Sequence, residues 1–312
     1  MTGAAGLDLR TAVLLLHGWL SWFAEQHAHR ALFLKGPGLR FHGLRGEHVS
    51  ADVDVLVDPA DFESFCALLE AGGWSQRRST FAGTRYTEHS RTLIHPSWPC
   101  DIDVHRFFPG FLAPGEVVFD ELWRRRVPMP AAGRDCSIPD RAGSLLVLAL
   151  HALRSRSDNA RHARELAHLI EHAALDAEQR ADLVALARRT GAEHTLAEVL
   201  RALDAVPATP APPVEDPAEA AALAEWTRRV SAGASTGYMW TSIIRRQRGW
   251  RRLLTIRHAL WPRRADLLRM RPATTDTAAG RTRARLQRLV RGAPAASRAV
   301  AQLITDRRRS RR

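Results

Sequence analysis

Residues 50–57 read Ser-Ala-Asp-Val-Asp-Val-Leu-Val, a stretch in which acidic and apolar side chains alternate before an apolar end. Side chains on a strand alternate between its two faces, so Asp52 and Asp54 are predicted to share one face while the valines pack inward. Same-face neighbours lie about 6.6 Å apart along the backbone, given a rise of ~3.3 Å per residue. Two carboxylates at this spacing repel each other unless a cation binds both, and Mg²⁺ prefers such oxygen ligands. For this tripeptide alone, an ordinary exposed acidic face is the alternative.

A second acidic stretch, Asp101-Ile102-Asp103-Val104-His105, repeats the alternation. If this strand lies beside the first, Asp103 completes a cluster of three carboxylates with Asp52 and Asp54. Two divalent ions about 3.5–4 Å apart could then activate a hydroxyl and hold the attacked phosphate. We therefore predict Asp52, Asp54 and Asp103 as catalytic and metal-binding residues, with Mg²⁺ or Mn²⁺ as the cofactor.

The turn before the first acidic stretch holds the only lysine among 46 basic residues, Lys35, followed by Gly36-Pro37-Gly38. A compact ammonium differs from a guanidinium in geometry and hydration, and glycine lets backbone amides approach a phosphate. Pro37 removes one such amide donor. We predict Lys35, Gly36 and Gly38 as nucleotide- or phosphate-binding residues. The alternative is that one lysine survived by chance in an arginine-biased chain.

Together these motifs resemble the uncharacterised nucleotidyltransferase family of the DNA polymerase β-like superfamily, over about residues 32–173. Lys35 and Gly36 match its lysine-glycine turn, and Asp103 with His105 takes the place of its usual Glu-x-His. The resemblance implies metal-dependent transfer of a nucleoside monophosphate from an NTP to a hydroxyl. In that scheme Asp103 is the candidate general base, and Lys35 orients the leaving pyrophosphate.

Two positions depart from the pattern of this superfamily. Gly36 is not followed by the serine that members with proven transfer often carry. Where an arginine commonly precedes the aspartate pair, this chain has His48, with Arg45 slightly earlier. We therefore take Arg45, His48 and His105 as secondary candidates for the site.

The hydrophobic pattern predicts an α+β fold, with a small mixed β-sheet core, flanking helices and a mainly α-helical C-terminal half. The resemblance implies that this core is a nucleotidyltransferase core. An amphipathic helix is predicted over about residues 7–27. Asp58-Pro59 is expected to begin a helix that ends at Gly72-Gly73. Asp176 and Gln179 form a capping box for a helix that runs towards Leu203. The predicted domains are a core with its N-terminal helix (1–138), a helical domain (139–205), a Pro-rich linker (206–217) and an Arg-rich helical region (218–312).

Charge and composition indicate which partners the protein could bind and in which cellular compartment it works. The net charge is +13, and arginine is dense from Arg245 onward, so RNA or an anionic surface is a predicted partner. Acidic residues that fold back onto these arginines are the alternative. Three scattered cysteines suggest a reducing compartment, and the apolar run near residue 12 is too short for a membrane span. We predict a cytoplasmic protein without a transmembrane segment.

Three functional hypotheses stay open at this point. The leading one is an active nucleotidyltransferase that uses ATP or another NTP. The runner-up is a catalytically weak or inactive protein of the same fold that binds RNA or another polyanion. A third is a toxin-like or resistance-like transferase with the same chemistry and a different acceptor, which no local motif encodes. The histidines are interpreted as ordinary polar or helix-face residues and not as zinc ligands, namely those at positions 17, 89, 95, 151, 162, 168 and 172.

Overall fold

The computed structural model of the chain describes residues 7–155, 159–206, 213–232 and 236–291. The chain divides into two compact units. Unit 1 comprises Met1–Arg77 and His89–Ser231, and unit 2 comprises Arg78–Glu88 and Ala232–Arg312. The domain boundaries predicted at residues 138, 205 and 217 stay predictions, and residues 207–212 of the predicted linker lie outside the described residues.

A five-stranded mixed sheet forms the centre of unit 1, in the order β1-β2-β5-β4-β3. The pair β2 and β5 is parallel, and the other neighbouring pairs are antiparallel. A separate hairpin pairs β6 with β7. The strands are β1 (Ala31–Phe33), β2 (Asp52–Val57), β3 (Ser75–Gln76), β4 (Ser90–Ile94), β5 (Asp101–His105), β6 (Val127–Ala131) and β7 (Arg134–Ile138).

Helices make up most of the rest of the described chain, which confirms the predicted α+β class with a helical C-terminal half. In chain order they are α1 (Leu9–Gln26), α2 (Pro37–Phe41), α3 (Phe62–Ala71), α4 (Phe81–Tyr86), α5 (Gly115–Arg124), α6 (Arg141–Ser155), α7 (Ala160–His172), α8 (Ala177–Arg189), α9 (Ala192–Thr195), α10 (Ala197–Ala202), α11 (Pro217–Ala232), α12 (Thr236–Arg246), α13 (Gly249–Leu260) and α14 (Arg264–Met270), and residues 278–291 are also helical.

The two faces of β2 contribute to different parts of unit 1. Val53, Val55 and Val57 are fully buried, in one apolar cluster with side chains of α1 and α3. Leu56 lies on the opposite face and joins a second cluster that contains most of α6. Since Asp54 shares the face of Leu56, the acidic side chains lie where a buried core gives way to a polar site.

Two predicted helix boundaries are wrong. The helix expected to begin at Asp58-Pro59 begins at Phe62, because the Asp58 carboxylate accepts a hydrogen bond from the Ala60 amide at 3.0 Å and closes a turn there. The helix expected to run towards Leu203 ends at Arg189, although its predicted capping box is present. Gly191 adopts a left-handed backbone with φ of 69°, and the chain continues as two short helices.

Unit 2 is discontinuous in sequence, because α4 lies between β3 and β4 in the chain. The Phe81 ring at the start of α4 stacks on Trp240 of α12, with 6.3 Å between centroids, and lies 4.2 Å from the His258 ring of α13. The Phe81 amide also donates to the Asp266 carboxylate at 3.2 Å. These contacts join a six-residue helix to the C-terminal helices.

In the described ranges, no helix is both long and apolar enough to cross a membrane.

Candidate active site

The pairing of β2 with β5 is parallel and brings the second acidic strand beside the first, which meets the condition set for a shared site. Asp54 is the register partner of Asp103, and Leu56 is that of His105. The His105 Nε2 atom lies 3.0 Å from Asp54 Oδ1 and 3.2 Å from Asp103 Oδ2. One ligand atom of each of these three residues lies within 4.8 Å of the other two. We call Asp54, Asp103 and His105 the carboxylate site.

Lys35 lies two residues after β1, and its ammonium group is the positive charge closest to Asp54. Its Nζ atom lies 2.8 Å from Asp54 Oδ1, and 12% of its side chain is exposed against 4% for Asp54. Burial alone would raise the pKa of Asp54, but the positive charge of Lys35 and the hydrogen bond from His105 lower it far below its usual value. Asp54 is therefore held ionised, and its closest cationic partner is Lys35.

Asp103 and His105 also hold each other in the charged form. Burial would raise the pKa of Asp103, but the charge and hydrogen bond of His105 bring the net value below normal. Burial lowers the pKa of His105, but the Asp103 and Asp54 carboxylates outweigh it, so the net pKa is raised. The Thr92 hydroxyl of β4 donates to Asp103 Oδ1 at 3.1 Å. These contacts fix the orientation of the Asp103 carboxylate.

Asp52 lies on the same strand face, but it is not a member of the carboxylate site. Its Oδ1 atom accepts a hydrogen bond from the Ser50 hydroxyl at 3.0 Å. Its pKa is raised, first by burial and then by the negative charge of Asp54, while Lys35 opposes the shift. Of the carboxylates on this face, Asp52 is therefore the one that protonates most readily.

The predicted phosphate turn has two different glycines. Gly36 has φ of 59°, a backbone conformation that favours glycine, and it precedes Pro37 at the start of α2. The Gly38 amide donates to the Lys35 carbonyl at 3.3 Å, and a Cβ at Gly38 would lie 3.4 Å from an Ile138 methyl. The Gly38 amide therefore already has an acceptor, and a role for Gly38 in phosphate binding stays a prediction.

The secondary candidates Arg45 and His48 contact α7 and not the carboxylate site. Arg45 Nη2 lies 3.0 Å from Glu165 Oε2. The His48 Nε2 atom lies 2.6 Å from Arg161 Nη2. Burial is the main cause of the lowered pKa of His48, and the Arg161 charge adds to it. His105, the third secondary candidate, is at the centre of the site.

The donor set fits a hard divalent cation. Asp54 and Asp103 offer carboxylate oxygens close together, and Asp52 adds a third carboxylate on the same face. Oxygen ligands of this kind suit Mg²⁺ and Mn²⁺. Lys35 and His105 already balance the charge of Asp54, so a bound cation would share or replace these partners.

Three further histidines lie around this site and were not predicted as part of it. His151 Nδ1 on α6 lies 3.5 Å from Lys35 Nζ. His17 on α1 is buried, which lowers its pKa to about 4, and the Asp54 charge acts on it. Burial lowers the pKa of His89 to about 2, and the His105 charge adds to the shift. Their chain positions are far apart, so no local spacing could have indicated them.

Comparison with known proteins gives one family and one structural likeness. A family model described as an uncharacterised nucleotidyltransferase matches residues 20–206, more than half of the chain, including Lys35 and the whole carboxylate site. No curated protein gives a significant match. A solved nucleotidyltransferase-like antigenic protein from Paracoccidioides brasiliensis is similar at 10% identity and a TM-score of 0.36, covering 61% of this chain and 93% of that one.

Proposed function

The chain belongs to the uncharacterised nucleotidyltransferase family, and we propose that it transfers a nucleoside monophosphate from an NTP to a hydroxyl acceptor at the carboxylate site. The observation that carries this proposal is the placement of Asp54, Asp103 and His105 on adjacent parallel strands, with Lys35 at 2.8 Å from Asp54. Buried carboxylates held ionised beside a lysine suit a reaction in which phosphate charge must be bound and a hydroxyl deprotonated.

We propose that Asp52, Asp54 and Asp103 hold Mg²⁺ or Mn²⁺. When bound, such a cation polarises the attacked phosphate and lowers the pKa of the acceptor hydroxyl. Asp52 would add a carboxylate ligand next to the carboxylate site, and the Ser50 hydroxyl fixes the position of its Oδ1 atom. The pKa of Asp52 is raised whereas that of Asp54 is lowered, so the anion of Asp52 is the less favoured of the two, and a bound cation would favour it.

The protein's own residues supply orientation and proton transfer. Asp103 is ionised and fixed by Thr92 and His105, so it can accept the proton of the incoming hydroxyl. His105 Nε2 hydrogen-bonds to Asp54 Oδ1 at 3.0 Å and lies 3.2 Å from Asp103 Oδ2, so its charge holds the two carboxylates close together. Lys35 has a flexible stem, and we propose that its ammonium turns from Asp54 to the phosphates when a nucleotide enters.

A screen with labelled nucleotides tests the proposal and identifies the acceptor class. Purified protein is mixed with each NTP, labelled at the α- or the γ-phosphate, with Mg²⁺ or Mn²⁺ and a cell extract. We expect label from the α position to appear on RNA, protein or a small molecule, and label from the γ position to leave as pyrophosphate. Transfer of the γ label instead would replace nucleotidyl transfer with phosphoryl transfer.

We propose polyanion binding as a second function, carried by unit 2. Residues 245–291 hold 15 arginines and two acidic residues. In the same stretch, Trp250 and Trp261 are 69% and 43% exposed. Arginines with exposed aromatic rings bind single-stranded nucleic acid through phosphate contacts and base stacking.

The cytoplasmic location predicted from the sequence stays a prediction.

A further inference from the structure

A second cluster of metal-ligating side chains lies on two consecutive helices of unit 1. His151 is on α6, and His162 and Glu165 are three residues apart on α7. One ligand atom of each lies within 4.8 Å of the other two. The two imidazole rings meet edge to face, with 4.7 Å between their centroids. We call these three residues the imidazole site.

Two buried polar atoms in this cluster form no hydrogen bond with any of the described residues, namely His162 Nδ1 and Glu165 Oε2. Arg45 Nη2 is 3.0 Å from Glu165 Oε2, an ion-pair distance without hydrogen-bond geometry. A buried polar atom without a partner costs free energy, and His162 Nδ1 has none, so it calls for a ligand that the Glu165 carboxylate can share. An anion would add further acceptors, whereas a cation accepts electron pairs from the imidazole nitrogen and the carboxylate oxygen together.

The surrounding charges decide which cation fits. Glu165 also pairs with Arg161, whose Nε atom is 3.1 Å from Oε1. The two arginines orient the carboxylate but weaken its attraction for a hard, purely electrostatic ion such as Mg²⁺. His151 and His162 each offer one imidazole nitrogen to this position, and a neutral imidazole is a common metal ligand. Neutral imidazoles favour transition metals over Mg²⁺ or Ca²⁺.

We propose that His151, His162 and Glu165 bind a divalent transition metal of the Zn²⁺ class. Two imidazole nitrogens and one carboxylate oxygen are a ligand set of known zinc sites, which keep a further position for water. Lys35 lies between this site and the carboxylate site, 3.5 Å from His151 Nδ1 and 2.8 Å from Asp54 Oδ1. The imidazole site is therefore a neighbour of the proposed transfer site, but its metal binding does not depend on transfer.

Zinc titration of the full chain tests this proposal. Metal-free protein is titrated with Zn²⁺ against a chromophoric chelator, and Co²⁺ is used as a spectroscopic probe. We expect His162→Ala and Glu165→Gln each to lose one tight Zn²⁺ equivalent, or to weaken it at least about tenfold. The visible Co²⁺ absorption of a four-coordinate site should disappear with it. Circular dichroism of the metal-free variants checks that both still fold.

Matched controls separate this site from two others. The rings of His168 and His172 stack on α7, with 4.2 Å between their centroids, and could bind Zn²⁺ at the surface. The double variant His168→Ala/His172→Ala should therefore keep the tight Zn²⁺ equivalent. Asp52→Asn, which removes a proposed Mg²⁺ ligand and is expected to leave the stability unchanged, should also keep it. The proposal is overturned if parent protein and His162→Ala bind Zn²⁺ with the same stoichiometry and affinity, or if His168→Ala/His172→Ala removes the tight equivalent.

Discussion

Asp52 and Asp54 are two residues apart on one strand, yet their environments shift their pKa values in opposite directions. Asp54 is stabilised as an anion by Lys35 and His105, whereas burial and the Asp54 charge disfavour the anion of Asp52. Alternation along the strand predicts that both share a face. It does not predict this difference, because Lys35 follows β1 and His105 belongs to β5.

The first prediction is that Asp54→Asn destabilises the protein strongly, whereas the isosteric change Asp52→Asn does not. Asp54→Asn leaves Lys35 without its buried anion and His105 with Asp103 alone, so it should lower the free energy of unfolding by about 3–5 kcal/mol at pH 7. Asp52→Asn should leave it within about 0.5 kcal/mol of the parent, or raise it. Urea unfolding of both variants measures this. Equal losses would contradict the assigned charge states.

The lowered pKa of Asp54 also predicts how the stability difference between the parent protein and Asp54→Asn changes with pH. Its folded pKa is depressed, so its contribution is present above the unfolded value of about 3.9 and is lost as the pH falls towards the folded pKa. The stability gap between parent protein and Asp54→Asn should therefore narrow in acid. A gap that widens there would show that Asp54 is not held ionised.

The second prediction concerns His105, whose pKa is raised in the folded state. A raised histidine pKa stabilises the fold below the unfolded value of about 6.5, and the contribution is lost as the pH rises through the folded pKa. The unfolding free-energy difference between parent and His105→Gln should therefore be larger at pH 6 than at pH 9. The matched control is His89→Gln, which should show the opposite slope because the pKa of His89 is lowered. The same slope for both would contradict the account.

At the scale of elements, local patterns predicted the strands and helices that carry the site. The alternation in β2 and β5 and the capping box of α8 are encoded by neighbouring residues, and all three are present. The sequence made the adjacency of these two strands a condition of the site, and they are neighbours in the sheet; their parallel direction was not predicted. The sequence analysis missed two breaks in regular structure. At Asp58, a hydrogen bond from the Ala60 amide to the side chain closes a turn. At Gly191, the backbone packs closely against Leu112 and Ala113, which are distant in the chain. The imidazole site was missed because α6 and α7 must pair before His151 meets His162.

The third prediction is that Gly191, which interrupts the helices after α8, cannot be replaced. Its φ is 69°, and an added Cβ would lie 2.8 Å from Leu112 Cβ and 2.9 Å from the Ala113 amide nitrogen. Gly191→Ala should therefore cost about 1–2 kcal/mol for the left-handed backbone and about 1–3 kcal/mol more for overpacking. The control is Gly133→Ala in the β6–β7 hairpin, where φ is 76° and no described atom lies within 4 Å of the added Cβ. Equal losses in thermal unfolding would remove the packing argument.

At the scale of the whole molecule, charge is distributed unevenly. Arginine density predicted a basic helical C-terminal region, but the sequence did not indicate that residues 78–88 belong to the same unit. That association depends on contacts such as Phe81 with Trp240, which join segments more than 150 residues apart in the chain. Long-range packing of this kind has no local signature.

The fourth prediction is weak, sequence-tolerant RNA binding by unit 2 that falls steeply with salt. Replacing the exposed arginines Arg251, Arg252 and Arg257 of α13 with Gln should lower the salt slope by about 0.7 for each phosphate that is no longer neutralised. The control is the same charge change in unit 1, at the exposed residues Arg10, Arg40 and Arg201, which should leave the slope unchanged. Filter binding at several salt concentrations measures both. Equal effects of the two triple variants would show that net charge alone, and not unit 2, governs binding.

The most direct measurement is the rate of transfer from an α-labelled NTP by Asp103→Asn beside the parent protein. We predict that Asp103→Asn lowers the rate at least about 100-fold, because the variant can neither accept the hydroxyl proton nor help to hold the cation. The control is Asp120→Asn, the same change at a half-exposed carboxylate paired with Arg30, which should keep the parent rate. Transfer by Asp103→Asn at the parent rate would contradict the assignment of nucleotidyl transfer to the carboxylate site.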